Sequence, residues 1–247
     1  MTTKIICYNT WAPIRSQASS LSEMVSSILF GETATILSET EEWYEVQMDY
    51  DNYSGWVGKE YVKLFEGVPS QNICTSKKVA YIHKFGKQIV PAGGAILGAQ
   101  LLLNNETLEL QDLTDSSVQV NPQMIGPHAI YHFLHAPYLW GGRSIFGIDC
   151  SGLVQICLKM AGHSFPRDAS QQIHHGTEIE FDQHQINDLV FFHKKNKITH
   201  VGIALGQNKI IHSSGRVRID ALQPEGIYNS ETAAITHHLH SIKRIVI

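Results

Sequence analysis

Short runs in which apolar and polar residues alternate occupy the first quarter of the chain. Glu32-Thr33-Ala34-Thr35-Ile36-Leu37 and Trp43-Tyr44-Glu45-Val46-Gln47-Met48 have the two-residue period of half-buried strands. Polar Asp49-Tyr50-Asp51-Asn52 then reads as a turn into Tyr53-Ser54-Gly55-Trp56-Val57, and Tyr61-Val62-Lys63-Leu64 closes a small all-β unit over residues 1–66. Residues 67–122 repeat the texture more weakly. Val79-Ala80-Tyr81-Ile82 and Lys87-Gln88-Ile89-Val90 are strand-like, followed by the turn Pro91-Ala92-Gly93-Gly94 and by Ala95-Ile96-Leu97. A second, degenerate β-barrel and an irregular linker module both fit this stretch, and Asn121-Pro122 marks its boundary.

The pattern changes over residues 123–247. Ala129-Ile130-Tyr131-His132-Phe133-Leu134 predicts a short helix, and Pro137-Tyr138-Leu139-Trp140-Gly141-Gly142 a loop. Ser151 to Met160 has helical spacing with Leu153, Val154, Cys157 and Leu158 on one side, and Gly162 supplies a stop. Three strand-like runs follow, Asp188 to Phe192, His200 to Leu205 and Lys209 to His212. A helix with a cysteine at its start, then an antiparallel sheet carrying histidines, is an α+β plan.

Composition narrows the function classes. An apolar fraction of 43% and a charged fraction of 17% describe a globular chain able to bury a core. The net charge is −4 and the 19 basic residues are scattered, so no nucleic-acid partner is expected. No stretch approaches a membrane span, and the first residues lack the apolar core of a signal peptide, so a cytoplasmic protein without a membrane partner is expected. The four cysteines, Cys7, Cys74, Cys150 and Cys157, form no CxxC pair, which argues against a zinc knuckle. Cys150 and Cys157 would stand ~10 Å apart along a helix, too far to bridge. Cys7, Cys74 and Cys157 read as small buried apolar residues.

Cys150 is different because it opens the predicted helix. A helix N-terminus favours the thiolate, and its backbone N–H groups can receive a developing oxyanion. Gly142 and Gly147 would allow tight turns ahead of it. His200 opens an apolar strand after the polar loop Lys194 to Thr199, and from the sheet edge it can face the helix as a general base. His212 ends the next strand after the turn Gly206-Gln207-Asn208, and antiparallel pairing would bring it beside His200. By spacing alone these remain two of 14 histidines, most of which belong to the surface or to a hydrogen-bonded core. His237-His238-Leu239-His240 with His174-His175 raises a metal hydrolase, but no HExxH spacing accompanies them, and neither metal nor cofactor is expected.

Four blocks carry a family resemblance. Pro137-Tyr138-Leu139-Trp140-Gly141-Gly142 with Gly147-Ile148-Asp149-Cys150-Ser151-Gly152-Leu153-Val154 resembles the nucleophile region of NlpC-type, papain-like cell-wall cysteine peptidases. Asp188-Leu189-Val190-Phe191-Phe192, Thr199-His200-Val201-Gly202-Ile203-Ala204-Leu205-Gly206 and Lys209-Ile210-Ile211-His212-Ser213-Ser214-Gly215 resemble the next three, in order. One departure is Asn187, where relatives commonly have Gly. The resemblance implies Cys150 as nucleophile, His200 as base and His212 as the orienting third member. Trp-x-x-Val, a polar hairpin and Gly-Trp-Val resemble bacterial SH3-type domains, so the whole implies a papain-like C-terminal domain behind two small SH3-like β-barrels.

Pro166-Arg167-Asp168-Ala169-Ser170-Gln171-Gln172 narrows the resemblance to γ-D-glutamyl-L-diamino acid endopeptidases that require a free N-terminal L-alanine. A carboxylate beside the nucleophile would by itself raise the thiol pKa, which makes Asp149 easier to explain if a substrate cation binds there. The resemblance implies Asp149 and Asp168 on the L-Ala ammonium, Arg167 near the D-Glu carboxylate, Ser151 at the substrate, and Tyr53 and Glu23 reaching it from the first SH3-type domain. The alternatives are a helix cap for Asp149, a surface pair for Arg167 and Asp168, barrel packing for Tyr53 and a plain surface carboxylate for Glu23. The expected partner is a small murein peptide. A wall-binding protein without catalysis, or an amidase or acyltransferase on the same scaffold, are the competing functions.

Overall fold

The computed structural model describes residues 3–76, 80–83, 86–103, 106–111 and 121–245. The chain divides into two compact units: Met1–Gln119 with Trp140–Ser144, and Val120–Leu139 with Ile145–Ile247. Among the described residues, no helix is long and apolar enough to cross a membrane.

In the first unit, β1 (Lys4–Cys7), β2 (Trp11–Arg15), β3 (Met24–Leu29), β4 (Thr33–Glu39), β5 (Trp43–Met48), β6 (Ser54–Gly58) and β7 (Val62–Phe65) form a seven-stranded sheet in the order β3-β2-β6-β5-β4-β1-β7. Alternation directs Ile5, Ile14, Ile28, Val46 and Val57 into one core. The β5–β6 turn is made by the polar run read from the sequence. Asn52 adopts φ 59 and the Tyr53 N–H donates to Asp51 Oδ1 at 3.0 Å, as Asx chemistry allows.

A four-stranded sheet follows in the order β10-β11-β8-β9, from β8 (Ala80–His83), β9 (Gly86–Ile89), β10 (Gln100–Leu103) and β11 (Glu106–Gln111). Val79, expected in the first of these strands, lies outside the described residues. Cys74, Tyr81, Val90, Ile96 and Leu108 form this sheet's core together with Phe30 from the turn between β3 and β4. Ala95-Ile96-Leu97 is not a strand; only an isolated bridge joins Ile73 to Ala95. A short strand, β12 (Arg143–Ser144), completes the first unit. Its Arg143 is fully buried and donates to Ser27 O at 2.7 Å and to both Glu32 oxygens at 2.9 and 3.0 Å. The segment 140–144, expected as part of a contiguous domain over 123–247, therefore packs with the N-terminal strands.

The second unit contains α1 (Ile125–Phe133), β13 (Gly147–Ile148), α2 (Cys150–Met160), α3 (Ala169–Gln172) and strands β14 (Thr177–Ile179), β15 (Leu189–Lys194), β16 (Lys197–Gly206), β17 (Lys209–Ser214), β18 (Arg216–Gln223), β19 (Gly226–Asn229) and β20 (Ala234–Arg244). The last seven pair in the order β14-β20-β15-β16-β17-β18-β19, and β19 also pairs with β20, so six strands close into a ring. Val190, Phe192, Ala204, Ile210, Leu222 and Ile227 pack together as one cluster of this sheet.

All of α2 is buried, including Gln155 and Lys159, rather than one apolar side as its spacing suggested. It packs on α1, α3, β16 and β17, and a helix covered all round presents no solvent face. Gln155 Nε2 donates to Phe165 O at 3.0 Å. Asn187, the departure from the family pattern, sits at φ 76, a conformation Asn tolerates better than most side chains. Its Oδ1 accepts from the Gly126 N–H at 2.9 Å, so this residue also ties the β15 turn to α1.

Candidate active site

Cys150 is the first residue of α2, and Asp149 caps that helix, its Oδ1 accepting from the Gly152 N–H at 2.7 Å. The turn ahead differs from expectation. Gly141, not Gly142, holds the positive φ of 78, and Gly147 is needed for close approach, since a Cβ there would stand 2.6 Å from Leu139 Cβ. Ser213 Oγ donates to Ile148 O at 2.7 Å and fastens the nucleophile segment to β17.

The carboxylate of Asp149 is already paired. Arg167 Nη1 donates to Oδ1 at 3.0 Å and Nη2 to Oδ2 at 2.5 Å, with side chains only 1% and 7% exposed. Arg167 Nη1 also donates to Ser151 Oγ at 3.0 Å, and Ser151 Oγ lies 3.3 Å from Asp149 Oδ1. Arg167, implied by the resemblance near a substrate carboxylate, and Asp149, implied on the L-Ala ammonium, thus neutralise each other by a two-point contact. Ser151 Oγ, the Gly152 N–H and Arg167 Nη1 all meet Oδ1, and Arg167 Nη2 meets Oδ2. Asp168, half-buried, stands immediately before α3, and its N–H donates to Gln171 Oε1 at 3.4 Å. It is not a fully exposed surface charge.

His200 is the fourth residue of β16, in mid-sheet rather than at an edge, because the hairpin turn is confined to Lys195 and Asn196, at φ 50 and 60. Phe192 faces it across the ladder, and Gly202 faces His212, so His200 and His212 share a face. His200 Nε2 lies 2.8 Å from His212 Nδ1, and His212 Nε2 lies 2.9 Å from Asp220 Oδ2. His237 stacks on the His200 ring with centroids 4.1 Å apart. The backbone N–H groups of Val201 and Ser151 act on Cys150 Sγ in favour of the thiolate, which sets the thiol near the residue following His200.

Burial, then the Asp149 charge, pushes the Cys150 thiol up to about 12, while the Val201 N–H and Arg167 act the other way. Burial, then His212 and His237, holds His200 well below the ordinary imidazole value. Burial, then His212, holds His237 at about 4. Burial alone would push the Asp220 carboxyl up, but hydrogen bonds from His212 and Arg218 hold it below its ordinary value.

Three residues near this chemistry escaped the sequence reading. Asp220 and His237 are described above. Tyr138, half-buried, has its hydroxyl pKa raised by burial and then by the charges of Cys150 and Asp149, which puts it beside the nucleophile. Tyr53 and Glu23 belong to the first unit. Tyr53 packs partly buried against that unit's core, and exposed Glu23 accepts from Trp140 Nε1 at 2.8 Å. His238 and His240 point outward on β20, and among the described residues no three His, Cys, Asp or Glu side chains cluster as metal ligands.

A buried cysteine at a helix N-terminus, next to a chain of imidazoles ending in a carboxylate, is the machinery of a thiol hydrolase. The chain carries an NlpC/P60 domain with the site of a cysteine peptidase: the NlpC/P60 profile matches residues 135–236, and that of the bacterial dipeptidyl-peptidase SH3 domain matches residues 14–61. Gamma-D-glutamyl-L-lysine dipeptidyl-peptidase of Bacillus subtilis is 28% identical over 235 residues, spanning 85% of this chain and 79% of that protein. The protein of the same name from Bacillus cereus is 38% identical over 84 residues, 33% of this chain and 25% of that protein. The crystal structure of an NlpC/P60 family protein from Bacillus cereus superposes with a TM-score of 0.81, covering 98% of this chain and 99% of that one at 19% identity, a likeness of fold.

Proposed function

We propose that the enzyme hydrolyses the bond between γ-D-Glu and the following diamino acid in murein peptides that carry a free N-terminal L-Ala. The observation that carries the reading is the alignment with the Bacillus subtilis dipeptidyl-peptidase, which runs through both the SH3 and the NlpC/P60 regions. In the step itself, Cys150 Sγ attacks the γ-carbonyl carbon while His200 takes the thiol proton. His200 then gives that proton to the leaving amine, and water, deprotonated by the same imidazole, releases the acyl group. The four-stranded sheet at residues 80–111 fits the reading of a second, degenerate SH3-like domain, and the helices packed on a closed sheet fit a papain-like α+β catalytic domain.

Because Arg167 already compensates Asp149, the contribution to ammonium recognition falls on Asp168. One charge-assisted contact contributes about 1.5–3 kcal/mol, or roughly 10- to 150-fold. A preference of this size for released peptides over polymeric wall, whose L-Ala nitrogen is an uncharged amide, suits recycling. The test is kcat/KM on L-Ala-γ-D-Glu-diaminopimelate against its N-acetyl form, repeated with Asp168→Asn. The discrimination should shrink in that variant. Equal cleavage of both peptides by the wild type would contradict the ammonium reading and favour wall remodelling.

A further inference from the structure

We propose that Asp220 is a fourth member of the site, a positioning residue that fixes the tautomer of His212 and, through it, that of His200. The inference rests on the cysteine-peptidase chemistry described above. An ionised carboxylate only accepts hydrogen bonds, so His212 Nε2, 2.9 Å from Asp220 Oδ2, carries a proton. A neutral His212 then presents a lone pair at Nδ1, and His200 Nε2, 2.8 Å away, carries the proton between them. Neutral His200 is thereby left with its lone pair on Nδ1, the ring atom free to receive the proton of Cys150. In the opposite tautomer, His212 Nδ1–H points at His200 Nε2, the His200 proton moves to Nδ1, and that atom is no longer a base.

The carboxylate itself is held at both oxygens. Arg218 Nη2 donates to Oδ1 at 2.9 Å, and Arg218 Nε lies 2.6 Å from Oδ2. Arg218 is fixed in turn by Glu231 Oε2 at 2.9 Å and Asn229 Oδ1 at 3.1 Å, and Arg216 grips the other Glu231 oxygen at 2.9 Å. The strand register makes this geometry: His212 pairs with Arg218 and Ile210 with Asp220, so Arg218 and Asp220 share a face with His212. The groups that face this relay are Phe192 on β15, His200 on β16, His237 on β20 and Cys150 at the start of α2.

The test uses the full chain with Asp220→Asn, His212→Ala and the double variant. It reads kcat, KM and the pH profile of peptide hydrolysis, together with the rate of Cys150 alkylation by iodoacetamide. Asp220→Asn should lower kcat about 10- to 100-fold with little change in KM, less than the ~10⁴ lost when a carboxylate in direct contact with the base is replaced. The acid limb of kcat/KM should move to lower pH, because His200 imidazolium loses a distant counter-charge. In the His212→Ala background the same substitution should cause no further loss, since the path runs through His212. Additive losses, or an unshifted pH profile, would overturn the proposal. If Asp220→Asn fails to fold, Arg218→Gln decides by the same readouts, with a smaller loss in the same direction expected and wild-type behaviour contradicting it. Alkylation needs no peptide. A wild type that alkylates at Cys150 but cuts no peptide refutes the substrate reading alone, whereas an Asp220→Asn protein alkylated like wild type at every pH refutes this one.

Discussion

Arg167→Met removes a cation while keeping most of an unbranched apolar stem. Its side chain is 1% exposed and the Asp149 side chain 7%, so the substitution leaves a carboxylate in a site nearly closed to water. The bonds lost include two to Asp149 and one to Ser151 Oγ. Breaking a buried ion pair at one partner costs about 3–5 kcal/mol. That is a large part of the roughly 5–15 kcal/mol that separates folded from unfolded states in a typical domain. Arg167→Met combined with Asp149→Asn removes both charges, retains a side chain able to cap α2, and should lie within about 1–2 kcal/mol of wild type. The assay is urea unfolding followed by ellipticity at 222 nm. Trp11, Trp43, Trp56 and Trp140 all lie in the first unit, so tryptophan fluorescence would report the wrong part of the chain. The α-helices of the described residues all belong to the second unit. A single variant within about 1 kcal/mol of wild type, or a double variant as unstable as the single, would refute the buried-pair argument.

His200→Ala should abolish turnover almost completely, whereas His212→Ala should be milder because it removes an orienting group rather than the base. Equal losses, measured as kcat/KM, would mean the two roles are wrongly divided. Acid stability carries a sign. His200 lies well below the ordinary imidazole value and His237 at about 4, so the unfolded chain takes up these protons first, near pH ~6.5. Their contribution is complete above that pH and is lost as pH falls from there toward about 4 for His237. His237→Phe keeps a stacked ring without the titration and should flatten the fall of Tm between neutral pH and that value. An unchanged slope would rule His237 out as a source of acid lability.

The sequence was most legible where burial and polarity alternate in the usual sense. The runs at residues 32–37, 43–48, 188–192 and 209–212 correspond to strands β4, β5, β15 and β17, where Ala34, Val46, Val190 and Ile210 face a core. β3 was hidden by Ser26 and Ser27, polar residues that are 1% exposed. β2 was hidden by Pro13 in the middle of its five residues. β18 inverts the rule: Ile219 is 37% exposed while Asp220 is 7% exposed, because the inward face there meets His212 rather than apolar side chains. Asp220 was therefore unreadable from apolar patterning, although a lone acid two residues beyond the cross-strand partner of His212 was a usable signal. His237 was overshadowed by the outward pair His238 and His240. Arg167 and Asp149 were both recognised as residues of interest, but their mutual pairing spans 18 positions and depends on how the segment before α3 folds back onto α2.

The central claim is that Cys150 performs thiol hydrolysis at the γ-D-Glu bond, and mass spectrometry of the products from L-Ala-γ-D-Glu-diaminopimelate measures it most directly. The wild type should release L-Ala-γ-D-Glu and free diamino acid, with an acyl-enzyme mass on Cys150 trapped by rapid acid quench. Cys150→Ala should show neither product nor adduct while keeping its circular dichroism spectrum. Products released at another bond would contradict the substrate, and hydrolysis by Cys150→Ala within about tenfold of wild type would contradict the nucleophile.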